Sequence, residues 1–545
     1  MSQELFEATF RDLDKPWEHY ERYSKDNKSY IRKIPIKNET YIEDPNGNFT
    51  YLMDNRIKLR QVDDSKNITC KKYGNCDAGH VWIREKYWTY EEQKYNMKPR
   101  IFFLDIETTA HAPVDNINCR ERIVTIQVYV NDLNTNIVIS NEPFEQEPTE
   151  NGNYKFNGRE YPFKLKYIQV KDEASILEAY FKLVESLKPV IVYAWNGEKF
   201  DFPYLFKRAE RNGLETKFSP FGKSILDYKE HGANSYYSLE SSGVFYMDYI
   251  VVYRKFIEAP RASYSLDFIC SLELNEHKVN HDCFKTFDGF RTGEGYTRPD
   301  KEPSKDSTLE YLLYHAKDEN EVKQISKNWF IHYSIVDTFL LYKLDQKLKL
   351  NDILMSLVSM MGCNIKEGLG TTNPWTCFIR NYCHSKGQIL PNRDDVVYPD
   401  VSIKGGFVRE PKAGKYEWVF SGDINSMYPN NISAYNISPE TFIPYHELPE
   451  EVKYIVDEIG LDEDEDKHLK LYNNGQYEKL TKVCQKYDIV ATMPGGFYTR
   501  KIRGVIPTLV TDIYNKRKVV KKEMLKYETE VEKIRKELEL RSNNG

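Results

Sequence analysis

Cysteine is scarce in this 545-residue chain: nine are scattered along it, no two nearer than six residues, with Cys70 and Cys76 at that spacing. That excludes a disulfide framework and leaves burial to stabilise the core, in a reducing, intracellular compartment. Cys70, Cys76 and His80 offer three zinc-type donors, yet no fourth stands at finger-like spacing, so ordinary free thiols are expected. No run approaches the roughly 18 apolar residues of a membrane span. The N-terminus, MSQELFEATFRDLDK, is polar and charged, so a soluble, unexported protein is expected. A basic excess is missing too. The net charge of −6 argues against a uniformly basic nucleic-acid binder, although phosphates respond to local charge rather than to the sum. There is no internal repeat and no low-complexity tract.

What is present is length, local charge and aromatic content. A chain of this size divides into three or four domains, each able to bury its own interior. Between Arg500 and Lys526, nine Lys and Arg stand against two acids, Asp512 and Glu523, a local excess of seven positive charges. The acidic run from Asp462 to Asp466 reads as a solvated loop. The 41 Tyr suit amphipathic core and rim positions, and some suit stacking on bases.

Residues 1–100 are rich in Tyr and Lys and broken by turn signals such as Asp44-Pro45-Asn46-Gly47, which predicts a small β-rich domain. From Arg100 the pattern changes. RIFFLDI is a short apolar run, RIVTIQVYV alternates from Arg122 to Val130, a helical period runs from Glu173 to Leu187, and PVIVYAW reads as a buried strand. This order predicts a mixed α/β domain with its active edge where strands end. Helical patterns fill Leu309 to Leu350. After Pro391 the chain turns β-like through VSIKGGFVRE and YEWVFSGDI, then finishes in a charged helix from about Asp512 to Leu540, with Ser-Asn-Asn-Gly as its stop.

Three carboxylate motifs lie in the α/β region. Asp105 and Glu107 stand two apart at the end of an apolar strand and so project from one face, where paired carboxylates can hold metal. Alone, an Asp-x-Glu pair is as often a solvated loop. Asn196-Gly-Glu-Lys-Phe-Asp201 follows a buried strand and opens a helix, so Asp201 is either a third site acid or a helix cap. Tyr333-Ser-Ile-Val-Asp337 puts a phenol and a carboxylate four apart on one helix face, although a surface Asp fits as well.

In order and context these motifs resemble the three exonuclease motifs of the DnaQ-like, RNase H-like proofreading fold, over roughly residues 100–350. The resemblance implies that Asp105, Glu107, Asp201 and Asp337 are metal-site acids and that Tyr333 orients the attacking water. Phosphodiester hydrolysis requires charge neutralisation on attacking and leaving oxygens, which two divalent cations about 4 Å apart provide. Hard oxygen donors select Mg²⁺ or Mn²⁺, two per active site, and the lack of a His/Cys cluster in this set argues against zinc.

Further on, Ser421-Gly-Asp-Ile-Asn-Ser-Met-Tyr-Pro-Asn430 follows YEWVF and resembles motif A of family B DNA polymerases. The resemblance makes Asp423 a palm metal ligand, sets Ser426 and Met427 beside the incoming dNTP, and makes Tyr428 a steric gate against a 2′-hydroxyl. YNISPET at 435–441, GVIPTLVTDIYNKRKVVKKEM at 504–524 and Tyr264-Ser-Leu-Asp-Phe resemble the replicative DNA polymerases of the T-even phage group. By that likeness Arg517 and Lys521, four apart on one helix face, are triphosphate-binding cations of the first fingers helix; a solvated basic helix is the plain reading for Lys521. Lys404, Gly405 and Gly406 match a Tyr-x-Gly-Gly linker that contacts template DNA, with Ile403 in place of the tyrosine.

The implied fold is mixed α/β and multidomain. It comprises a β-rich N-terminal domain at 1–100, rejoined by 351–395, and an exonuclease domain at 101–350. A partial palm with motif A follows at 396–503, then the first fingers helix at 504–545. Primer-template DNA, single-stranded 3′ ends and dNTP are the implied ligands, in the cytoplasm of a phage-infected cell. The family also carries Lys-x-x-x-Asn-Ser-x-Tyr-Gly and a palm hairpin with Asp-Thr-Asp, and neither stands in these 545 residues. Asp423 alone cannot hold two ions. The favoured expectation is one subunit of a split polymerase, completed by a second polypeptide with the missing motifs. Through the complete enzyme it would meet a sliding clamp and other replisome proteins. The alternatives are a fragment of a longer polymerase, or a stand-alone 3′-to-5′ exonuclease or DNA-binding scaffold with a relic palm.

Overall fold

The computed structural model describes residues 5–15, 18–26, 28–62, 70–90, 98–109, 118–149, 151–231, 234–392, 410–460, 472–492 and 495–543. The chain divides into two compact units, one of residues 1–38 and 76–378, the other of residues 39–75 and 379–545.

In the first unit the apolar run at 101 becomes the strand Ile101–Thr108, buried along almost its whole length, as expected of a strand covered on both faces. It sits inside a six-stranded sheet in the order Lys164–Gln169, Thr135–Ser140, Ile123–Val130, Ile101–Thr108, Ile191–Ala194, Phe245–Asp248. Ile123–Val130 pairs with it antiparallel and Ile191–Ala194 parallel, so the sheet is mixed.

The helix Glu173–Leu187 starts where the Asp172 carboxylate accepts the Ser175 amide at 2.9 Å, an N-cap made by sequence. Its Ile176, Leu177, Tyr180, Phe181 and Val184 recur at helical spacing and enter the core beside Phe202, Leu205 and Phe206 of the helix Asp201–Arg211. Each such side chain contributes about 1.5–3 kcal/mol on full burial. Between these helices the Glu173 carboxylate accepts from Arg208 Nε at 2.7 Å and from the Ile123 amide at 2.8 Å. Arg208→Ala strands that buried carboxylate, a change worth about 3–5 kcal/mol. The expected helical stretch near 309–350 is two helices, Thr308–Tyr314 and Glu319–Leu348. Asp318 restarts the second by accepting the Asn320 and Glu321 amides, both at 2.9 Å.

The first hundred residues are β-rich. Leu5–Arg11, His19–Lys25 and Lys28–Lys33 form a meander in the first unit. In the second unit Phe49–Tyr51 and Glu39–Glu43 flank Asp54–Val62, and Gln388–Ile389 returns to pair parallel with Thr50 and Tyr51. The turn predicted at Asp44 forms there, its carboxylate accepting the Asn46 amide at 2.9 Å.

Two expectations after Pro391 change. VSIKGGFVRE, with Lys404, Gly405 and Gly406, lies outside the described residues but for its last position. YEWVFSGDI is not a strand: residues 416–424 have no regular structure, and Trp418 and Phe420 are 99% and 93% exposed. An apolar run becomes a strand only where a neighbour takes up its backbone N–H and C=O groups, and the described residues offer this one no ladder. The terminal helix is longer than predicted, Val505–Asn543. Pro507 does not shorten it, because a first-turn residue has no N–H partner to lose. Among the described residues no helix is long and apolar enough to cross a membrane.

Candidate active site

The first-unit sheet delivers the carboxylates to one place. Asp105 and Glu107 leave the same face of Ile101–Thr108, and Asp337 arrives from the helix Glu319–Leu348 that packs on that strand. One carboxylate oxygen from each of these three lies within 4.8 Å of the others. Asp201 is the first residue of the helix Asp201–Arg211, not its cap, since that helix has no side-chain cap. Gly197 makes the preceding turn possible: a Cβ there would sit 2.7 Å from the Phe202 ring and 2.9 Å from Ala194 Cβ. Asp201 stays outside the three-acid group, yet burial and then the charge of Asp105 push its carboxyl well above the ordinary range.

The whole set is electrostatically loaded. Burial first, and the Asp337 charge next, raise Asp105 to about 7. Burial and the charges of Asp105 and Asp337 raise Glu107 well above its ordinary range, and burial raises Asp337. Asp201 Oδ1 and Asp337 Oδ1 are buried without a hydrogen-bond partner. Oxygens in that state are costly unless something positive satisfies them. An all-oxygen donor set with two such orphaned atoms fits divalent cations.

Part of the compensation comes from Lys278, which the motif reading missed. Its Nζ lies 2.6 Å from Asp337 Oδ2 and donates to the Tyr333 hydroxyl at 2.8 Å. Burial works against this ammonium, but the charge of Asp337 more than restores it and holds its proton well above the ordinary lysine range. Tyr333, four residues before Asp337 on the same helix face, is buried beside the acids; burial and the Asp337 charge push its phenol up. Gln127 of the neighbouring strand donates to Asp105 Oδ2 at 2.6 Å.

The second unit holds the other predicted residues in a different state. Asp423 is exposed in the irregular segment, and Tyr428 is 75% exposed. Ser426 takes a left-handed φ of 51° and leads into the helix Met427–Tyr435, which packs on Val505–Asn543. The Tyr514 hydroxyl is lowered by its hydrogen bond with Ser426. Arg517 and Lys521 stand three and seven residues after Tyr514, hence on the helix face that meets Ser426. Both are exposed.

Residues 48–269 match the family model for the exonuclease domain of DNA polymerase family B, and residues 372–538 match the model for DNA polymerase family B itself. The chain belongs to the family B DNA polymerases. It is 24% identical to the DNA-directed DNA polymerase of Escherichia phage RB69 over 88% of its own length and 48% of the relative. It is 24% identical to that of Enterobacteria phage T4 over 68% and 35%, and 23% identical to DNA polymerase 1 of Pyrococcus abyssi over 68% and 39%. This chain therefore spans about half the length, or less, of these curated relatives. Family B polymerase and exonuclease domains use divalent metal ions.

Within this family B chain, two residue sets gain roles that spacing did not reveal. Asp267 of the Tyr264-Ser-Leu-Asp-Phe motif accepts the Lys278 amide at 2.8 Å and so anchors the loop that aims Nζ at Asp337. YNISPET caps the long terminal helix: Asn436 Oδ1 accepts the Gly504 amide at 3.0 Å, Glu440 Oε1 the Val505 amide at 2.5 Å and Ser438 Oγ the Ile506 amide at 3.3 Å. These take up amides that a helix start leaves unpaired. Gly504 is required there, because a Cβ would lie 2.6 Å from Ser438 Cβ.

Proposed function

We propose that this chain carries the 3′-to-5′ proofreading exonuclease and the first half of the nucleotidyl-transfer site of a family B DNA polymerase. Exonuclease, palm and fingers segments follow the divisions at 101–350, 396–503 and 504–545. The observation that carries the reading is the convergence of Asp105, Glu107 and Asp337 oxygens within 4.8 Å, with two buried carboxylate oxygens left without partners. Asp105, Glu107, Asp201 and Asp337 would hold the cations, Mg²⁺ or Mn²⁺, two per site, as their oxygen donors favour. When bound, these ions neutralise charge on the attacked phosphate and the leaving oxygen. Tyr333 and Lys278 do the positioning. The phenol, fixed by Lys278 Nζ, is placed to hold the attacking water in line as the phosphodiester bond breaks and the new 3′-hydroxyl departs.

In the polymerase half Asp423 serves as one palm ligand. Ser426, Met427, Arg517 and Lys521 receive the triphosphate, Tyr428 excludes the 2′-hydroxyl, and Lys404, Gly405 and Gly406 touch template. Synthesis needs a completing polypeptide in the cytoplasm of the phage-infected cell, with clamp and replisome contacts made through the complete enzyme. The terminal helix supports this. Val520, Met524, Tyr527, Val531, Ile534 and Leu538 recur at steps of four and three along it and are all exposed, by 47–63%, the pattern of a coiled-coil seam without its partner helix.

The test has two arms. The purified chain should degrade single-stranded 3′ ends with Mg²⁺, and Asp105→Ala with Glu107→Ala should abolish this; activity persisting in the double variant overturns the exonuclease reading. Adding a polypeptide with the Asn-Ser-x-Tyr-Gly and Asp-Thr-Asp motifs should give primer extension that Asp423→Ala removes, whereas extension by the chain alone overturns the half-site reading. The exposed Asp423 segment favours a second reading, a stand-alone exonuclease, which an inactive mixture with intact 3′-end degradation would select.

A further inference from the structure

From residues on either side of the exonuclease acids in sequence, the first unit assembles a second donor cluster. His80 lies in the helix Ala78–Lys86, whose cap is Asp77. Glu367 comes from the short turn Lys366–Leu369 and Cys377 from the helix Thr372–Ser385. One ligand atom of each, an imidazole nitrogen, a carboxylate oxygen and a thiol sulfur, lies within 4.8 Å of the other two. Cys70 and Cys76, the thiols nearest His80 in sequence and expected to be ordinary free thiols, are not in this group.

The geometry around His80 is directional. Nδ1 is hydrogen-bonded to the Asp77 carboxylate, which leaves Nε2 aimed at Glu367 Oε2, 2.9 Å away. A carboxylate behind one ring nitrogen, with the other nitrogen facing sulfur and oxygen donors, is how proteins orient a metal-bound histidine. Glu367 is fixed in turn, accepting the Asn364 amide at 2.7 Å. Cys377 is 4% exposed, while the Glu367 side chain is 27% exposed, so an ion has a route in from one side.

We propose that His80, Glu367 and Cys377 bind a zinc ion, with Asp77 orienting the imidazole and a water molecule at the fourth position. The donor set selects the ion. A sulfur ligand disfavours Mg²⁺, Ca²⁺ and Mn²⁺, and nitrogen, sulfur and oxygen together suit Zn²⁺. Zinc–ligand bonds of about 2.0–2.3 Å put tetrahedral donors about 3.5 Å apart, so the His80–Glu367 pair at 2.9 Å opens slightly and the sulfur, within 4.8 Å of both, needs only a small shift. Binding releases the proton between His80 Nε2 and Glu367 and the proton of the Cys377 thiol. Burial opposes that His80 proton, yet the Asp77 and Cys377 hydrogen bonds, with that of Glu367, hold it in place without the ion. The ion would join the helix after Asp77 to residues nearly three hundred positions away, a tie with a structural role and no demand on the exonuclease acids.

The test uses Co²⁺ titrated into the metal-free, reduced full-length chain carrying Asp105→Ala and Glu107→Ala, so that the oxygen site does not compete. The expected result is one equivalent of Co²⁺ with a sulfur-to-cobalt charge-transfer band, displaced by Zn²⁺. Cys377→Ser should lose the band and Cys70→Ser should keep it, and zinc should raise the thermal midpoint of the Cys70→Ser chain but not of Cys377→Ser. Failure of the starting chain to develop the band overturns the proposal without any variant having to fold. A band that survives in folded Cys377→Ser overturns it as well.

Discussion

The two units treat their acids in opposite ways. In the first, Asp105, Glu107, Asp201 and Asp337 are withdrawn from water, crowd one another and are partly balanced by Lys278. In the second, Asp423 stands exposed in a segment with no strand partner among the described residues. The difference lies in where each site finds its neighbours. Every strand of the six-stranded sheet and both flanking helices come from residues 101–348, so the exonuclease acids close on one another within one stretch of chain. Motif A sits on a run whose ladder partners are not among the described residues. A finished sheet can hold mutually repelling carboxylates in place, because its packing outweighs their repulsion, whereas a lone run has nothing to hold them with.

The largest effect should separate the two sites outright. Asp337→Asn is expected to lower Mg²⁺-dependent 3′-end degradation by about 10³-fold or more, while Asp423→Ala leaves it unchanged, as read from single-turnover cleavage of single-stranded DNA. A loss of degradation in Asp423→Ala would break the comparison.

Next is the dependence on pH. Carboxyls raised by burial keep protons that the unfolded chain has released, so the metal-free first unit should lose stability as pH rises from about 4 to about 7, where Asp105 titrates. Mg²⁺ binds the deprotonated form, so it should raise the thermal midpoint at about pH 8 by about 2–4 °C per kcal/mol of linkage and scarcely at all at about pH 5. An equal shift at both pH values would show that these acids do not carry the ion.

Lys278→Met should come third. Removing Nζ leaves Asp337 with less compensation, so the acids hold their protons to higher pH. The pH–rate profile should move alkaline, and the rate at neutral pH should fall about 10- to 100-fold. A slower enzyme with an unmoved profile would reduce Lys278 to a packing residue. Smallest is the helix cap: Asn436→Ala should cost about 1 kcal/mol, visible as faster hydrogen exchange at the amides of Gly504 and Val505, with exonuclease activity untouched.

Much of this was legible from the chain because its signals are local. The two-residue step from Asp105 to Glu107, the helix from Glu173 to Leu187 and the four-residue step from Tyr333 to Asp337 follow periods of two and 3.6, which backbone geometry enforces, while the strand at 101 showed as a short apolar run. The YEWVF run misled for a physical reason: apolar composition tells that a segment seeks cover, and only a neighbouring strand makes it β. Lys278 was missed because it lies in a loop between motifs, aimed by Asp267 through a single backbone hydrogen bond. YNISPET was legible as a resemblance, but its capping of a helix more than sixty residues downstream was not.

By itself the sequence determined the family, the order of the exonuclease and polymerase segments and which carboxylates share a strand or helix face, since spacing on a strand or helix places side chains without reference to the rest of the fold. Tertiary structure alone decided how those acids are charged, which lysine answers Asp337, and that His80 meets Glu367 and Cys377 instead of Cys70 and Cys76. Burial and long-range approach set these properties, and neither has a period that a chain of letters can display.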